Sequence, residues 1–204
     1  MQSKLKNALF LIAACVLSTG AGAHIGHESG EAVHSQAALL SGFLHPLTGV
    51  DHLAAMVAVG LWSALAARRA WPDLLWAPMG FAAMLLAGAL LGLQGVQLPF
   101  VEPVIAASLL VIGLLVLTRW RVPGMAAAAL VGVFAVFHGL AHGYELAGNF
   151  SALPVVAGML AATLLLHAAG VAAGWALRHA NFWVPRLTGA GVAIFGLALL
   201  GRLA

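Results

Sequence analysis

The chain alternates between long apolar runs and short breaks carrying proline, glycine and arginine. From Gln36 onward six apolar runs follow one another, approximately 36–67, 73–93, 101–118, 124–143, 152–177 and 184–202. Runs of this length and composition predict membrane-spanning helices. Trp71-Pro72-Asp73, Val122-Pro123-Gly124 and Val184-Pro185 mark three of the turns between them. The run 36–67 is too long for one straight span. Pro46 fits the first turn of a helix, so the break is expected beside it, with His45 at the corner. A helix from Pro46 to Ala67 would reach about 33 Å, enough to cross the hydrocarbon.

Ahead of these runs, residues 1–23 have the layout of a secretory signal. Lys4 and Lys6 are its basic start, Ala8 to Leu17 its short apolar core, and Ala21-Gly22-Ala23 its small-residue cleavage site. Retention as an additional helix and lipid-type processing at Ile12-Ala13-Ala14-Cys15 are the alternatives to cleavage at Ala23. Residues 24–35 form a polar arm with His24, His27 and His34, expected outside the membrane. The fold expected is thus an all-α integral membrane protein: a signal peptide, the arm, and a six-helix transmembrane domain over 36–204 whose first span is broken near Pro46.

Charge sets the orientation. Arg68, Arg69, Arg119, Arg121, Arg178 and Arg186 fall in alternate loops, and the loops around Gln94 to Glu102 and Tyr144 to Ser151 have no Lys or Arg. Positive residues stay on the cytoplasmic side, which leaves the mature N-terminus periplasmic in a bacterial inner membrane. Trp71, Trp76, Trp120 and Trp183 lie at the same boundary, as interfacial aromatics do. The basic pI of about 9.8 does not point to nucleic acid, because these residues are scattered in pairs among apolar segments. No glycine-rich phosphate loop is present, so nothing suggests direct use of ATP. Gly88 and Gly92, Gly139 and Gly143, and Gly170 and Gly174 are small pairs four apart, suited to close helix packing.

Against a chain that is 63% hydrophobic and 7% charged, two polar clusters stand out. One is His45-Pro46-Leu47-Thr48-Gly49-Val50-Asp51-His52; the other is Phe137-His138-Gly139-Leu140-Ala141-His142-Gly143-Tyr144-Glu145. Ionisable side chains at membrane depth are costly and mark ion or substrate paths. On a helix His138, His142 and Glu145 fall within about 60° of one another, as ligands on one stripe would. Asp51 points off that line, either to a ligand position of its own or to orienting a histidine. Both clusters belong to the outer half of the membrane, and His167, in the middle of the fifth span, lies deeper. His24 and His27 would collect metal on the arm. Imidazole with carboxylate suits nickel, cobalt and zinc, and the only cysteine, Cys15, sits in the leader. A hydrogen-bonded network between helices is the structural alternative for the same residues.

Together the two motifs resemble the HupE/UreJ family of nickel/cobalt permeases, over the whole mature chain. The resemblance implies uptake of Ni2+ or Co2+ for hydrogenase or urease maturation by a secondary transporter that is not an enzyme. The ion would be cargo rather than cofactor, with delivery proteins on either side as possible partners. It also implies that His45, Asp51, His52, His138, His142, Glu145 and, at the new terminus, His24 handle the metal. The first motif has five residues between His45 and Asp51, one more than the related motif of the larger nickel/cobalt transporters. An intramembrane zinc hydrolase, with histidine ligands and Asp51 or Glu145 as base, and a metal-binding subunit without transport are the competing functions.

Overall fold

In lipid no water is available to the backbone, so every apolar run must satisfy its N–H and C=O groups internally, and helices do so. The computed structural model describes residues 29–67, 71–149, 151–178 and 181–203. Among them it contains seven helices and no strand: α1 (Ser29–Thr48), α2 (Val50–Ala66), α3 (Trp76–Leu93), α4 (Val101–Thr118), α5 (Gly124–Glu145), α6 (Ala152–Leu177) and α7 (Trp183–Leu203). The chain divides into two compact units, residues 1–32 and 33–204, and the second holds most of α1 and all of α2 to α7. The expected signal peptide, His24, His27, Arg68, Arg69 and His179 lie outside the described residues. Residues 29–35, expected as the end of the polar arm, are the opening turns of α1.

The five helices α3 to α7 are each long and apolar enough to cross a membrane. α1 from His34 and α2 are so only as a pair, and the pair is bent by 78°. The break falls at Gly49, three residues beyond Pro46, which lies inside the last turn of α1 rather than opening the next helix. The end of α1 holds together around the proline through other donors. The Gly49 N–H donates to the His45 carbonyl at 3.1 Å, and the Thr48 hydroxyl reaches the Leu44 and His45 carbonyls at 3.2 and 3.1 Å. Gly49 is crowded: a Cβ there would stand 3.1 Å from His52 Nδ1 and 3.2 Å from Asp51 Oδ1.

Lipid offers no hydrophobic drive for helices to associate, so close packing over small residues has to supply it. α3 and α5 pack side by side in the same sense, Gly88 on the Val136 carbonyl, Gly139 on Leu85, Gly143 on Ala89. α2 and α6 also run in the same sense, with Gly60 against His167 and Gly170 against Val57. α4 and α7 are antiparallel, Gly113 meeting Ala193 and Gly196 meeting Leu110. α1 crosses the start of α6 in the opposite sense, Gly42 on Val155 and Gly158 on Leu39. All three spaced glycine pairs of the sequence are therefore points of backbone-to-backbone approach.

One end of the bundle is tied by polar groups. Trp62 Nε1 donates to the Trp120 carbonyl at 2.9 Å, and the Ser63 hydroxyl to Leu74 at 2.9 Å. Arg178 donates to the Ala64 and Ala67 carbonyls at 2.8 and 2.9 Å, closing the C-terminus of α2 as a basic side chain should. Trp62, Phe81, Met56, Val116 and Leu109 fill the interior. The two polar clusters lie at the opposite end.

An added Cβ at Gly143 would meet the Ala89 carbonyl at 2.1 Å, whereas one at Gly191 meets nothing within 4 Å. Gly143→Ala should destabilise the purified protein by about 1–3 kcal/mol through overpacking, and Gly191→Ala should leave it unchanged. Thermal melting in detergent checks the pair.

Candidate metal centre

Because α3 and α5 meet over Gly139 and Gly143, the preceding residues, His138 and His142, are turned about 100° away toward the α1–α2 corner. The corner supplies His45 from the last turn of α1, and Asp51 and His52 from the first turn of α2. His45, His52 and His142 each present a ligand atom, all within 4.8 Å of one another. Their rings stand close: His45 and His142 centroids are 4.6 Å apart, His52 and His142 4.9 Å, His45 and His52 5.4 Å. Ninety residues of sequence separate the two halves of this triad.

The hydrogen bonds around the rings decide which nitrogen faces inward. Asp51 Oδ1 accepts from His52 Nδ1–H at 3.0 Å, which leaves the lone pair on Nε2. Glu145 Oε2 lies 3.5 Å from His142 Nδ1 and biases that ring the same way, less strongly. The two Nε2 atoms are 2.7 Å apart. Two lone pairs face each other at that distance only with a proton or a cation between them. Metal–imidazole bonds of about 2.0–2.1 Å set two nitrogens roughly 3 Å apart at a right angle, so a slight opening of the rings seats an ion.

His138 stands behind the triad, its ring 5.7 Å from that of His52 and its side chain fully enclosed. Its Nδ1 donates to the Phe134 carbonyl one turn back at 3.0 Å, so Nε2 again carries the free lone pair. The Phe81 ring lies 5.8 Å from that of His138 and 5.1 Å from that of His167. At the mouth His45 is exposed and the Glu145 side chain is 71% exposed, while that of His142 is only 11% exposed.

Of the residues singled out in the sequence, His45, Asp51, His52, His138, His142 and Glu145 come together in one cluster. His167 stands outside the triad, its ring against Phe81. Asp51 is hydrogen-bonded to the ring of His52. The helical stripe of His138, His142 and Glu145 forms, yet His45 rather than His138 completes the tight triad with His52 and His142, because the bend at Gly49 turns the last turn of α1 over the site. Sequence reasoning missed Gly49 and Phe81. The crowding at Gly49 depends on the corner, and Phe81 has no signal within an apolar run. The Phe134 carbonyl was readable, being four residues before a helical histidine.

The model of the family described as HupE / UreJ protein matches residues 12–199, nearly the whole chain and both histidine motifs. The chain belongs to the HupE/UreJ family. Among curated proteins, Protein HupE of Rhizobium leguminosarum bv. viciae is 40% identical over 192 residues, covering 93% of this chain and 94% of that protein. No solved structure matches the chain. This HupE/UreJ chain therefore carries the two motifs within the region that defines its family.

Asp51→Asn keeps the shape but weakens the acceptor that holds His52 in its tautomer. Affinity for Ni2+ in detergent should fall by roughly 10–100-fold, the usual effect of losing a ligand's orienting partner. Titration calorimetry of wild type and variant measures it, and equal affinities would remove Asp51 from that role.

Proposed function

We propose that this HupE/UreJ chain is a secondary permease that imports Ni2+ or Co2+ across the bacterial inner membrane for metalloenzyme maturation. The observation that carries the reading is the convergence of His45, His52 and His142, from two motifs far apart in sequence, with His138 directly behind them. Neutral imidazoles with carboxylates at the rim suit a borderline divalent cation. An ion in transit must also leave, and an open triad at a mouth releases more readily than a closed four-ligand cage.

The topology we infer has six crossings, α2 to α7, with α1 packed on the outer part of α6. The arginine-bearing ends of α2, α4 and α6 face the cytoplasm and the triad faces the periplasm. Residues 1–23 act as the signal peptide. His24 and His27 on the arm then raise the local metal concentration above the mouth, and soluble metal-delivery proteins are the natural partners on either side. Transport is preferred to zinc-dependent hydrolysis because Asp51 is engaged by His52 and Glu145 leans on His142. Neither carboxylate is held free beside the triad as a hydrolytic base would be.

Proteoliposomes containing the full chain should accumulate radioactive nickel, and His142→Ala should lower the initial rate by roughly tenfold or more, as loss of a ligand does. Unchanged uptake would take the second motif out of the mechanism. Ligand imidazoles must be neutral to bind a cation. Uptake should therefore decline as the external medium is made acidic, unless proton influx drives transport. A flat profile of initial rate against external pH would exclude histidine protonation as the control.

A further inference from the structure

α3 is pinned to α5 and α6 to α2, and a groove of about 630 Å³ is left where α3 and α6 pass each other. Leu74, Pro78 and Met79 form one wall, and Leu164, Val171 and Trp175 the other. His167 also meets the groove, but both its ring nitrogens are enclosed, so the lining presents carbon almost throughout. Met79, Leu164 and Trp175 are exposed, and the groove opens on the lipid. On α6 the wall runs from Leu164 to Trp175, about 16 Å of helix. Half the hydrocarbon thickness is about 15 Å. The groove is therefore one leaflet deep, from the bilayer middle to the arginine-bearing end.

At that end Trp71 and Trp175 frame the mouth. Arg178 follows one turn beyond Trp175, its guanidinium 4.4 Å from the centre of the Trp175 ring. Nε and Nη2 of Arg178 donate to the Ala64 and Ala67 carbonyls, and a guanidinium has more N–H groups than those bonds use. Among the described residues no carboxylate pairs with Arg178. Asp73, the acidic residue of this end, lines a different cavity together with Arg121.

We propose that this groove binds one anionic phospholipid of the adjoining leaflet, with an acyl chain between α3 and α6 and the phosphate against Arg178. The proposal rests on the inferred topology and not on the metal reading. An apolar gap too narrow for a helix leaves its walls without contacts, and a lipid tail supplies them. The arginine decides which lipid. Basic residues at the cytoplasmic ends of membrane helices attract anionic headgroups, and the tryptophans at the mouth sit at headgroup level. A free phosphate would meet the arginine but leave the groove unfilled.

Native mass spectrometry of the full chain in detergent tests this, with phosphatidylglycerol and phosphatidylcholine of identical acyl chains in competition. Wild type should retain one phosphatidylglycerol in about fivefold preference, the effect of one basic residue at a membrane surface. Ala168 and Ala172 line the groove and are exposed. Ala168→Phe with Ala172→Phe fills it and should abolish the preference. Ala169→Phe, exposed at the same depth outside the groove, should keep it. Arg178→Gln should abolish it too. That side chain also closes α2, so the groove variant supplies the independent reading where the arginine variant does not fold. Inorganic phosphate should not compete, and its displacing the lipid would reassign Arg178 to a free anion and overturn the lipid site. Equal retention of the two lipids by wild type, or an undiminished preference in the filled variant, would also overturn it.

Discussion

The structure depends on backbones approaching one another over glycine. In water a helix bundle gains stability by removing apolar faces from solvent, but lipid tails are as apolar as leucine and supply no such drive. Dispersion between surfaces that fit takes its place, and glycine lets main chains come within contact. Gly88, Gly139 and Gly143 do this between α3 and α5, Gly60 and Gly170 between α2 and α6, and Gly113, Gly189 and Gly196 between α4 and α7. Each contact fixes a helix's rotation as well as its distance. That rotation aims His138 and His142 inward and sets His167 against the interior.

A chain this apolar bears a cost for every imidazole it encloses, and the local structure shows how the cost is reduced. His52 has Asp51, His142 has Glu145, and His138 has the carbonyl of Phe134. In each case one ring nitrogen is satisfied by a neighbour in its own helix. The other nitrogen is thereby left as a lone pair, turned toward a different helix. The same arrangement that makes the rings tolerable leaves each with a nitrogen lone pair to offer. Two such nitrogens 2.7 Å apart need a proton or a cation between them.

The bend at Gly49 has a similar double effect. It stops α1 from continuing as a straight span and folds its last turn, with His45, over the start of α2. The histidine contributed by that turn is exposed, whereas its partners on α2 and α5 are progressively enclosed. A graded path from solvent to interior results: Glu145 and His45 at the rim, His52 and His142 beneath, then His138 and Phe81.

Much of this was written in local chemistry. The apolar runs, their length against the bilayer, the alternation of arginine between loops and the two histidine motifs are properties of short windows, so the helical membrane fold and the cluster's membership could be read directly. The helical stripe of His138, His142 and Glu145 follows from 3.6 residues per turn alone. Other features depend on which helices touch. The corner falls at Gly49 and not beside Pro46, because the turn around the proline is rescued by Thr48 and by the Gly49 amide. His45 displaces His138 from the tight triad because of that corner. Phe81, one apolar residue among many, packs on both His138 and His167 only because α3 is pinned against α5, and no local pattern encodes a contact made across three helices.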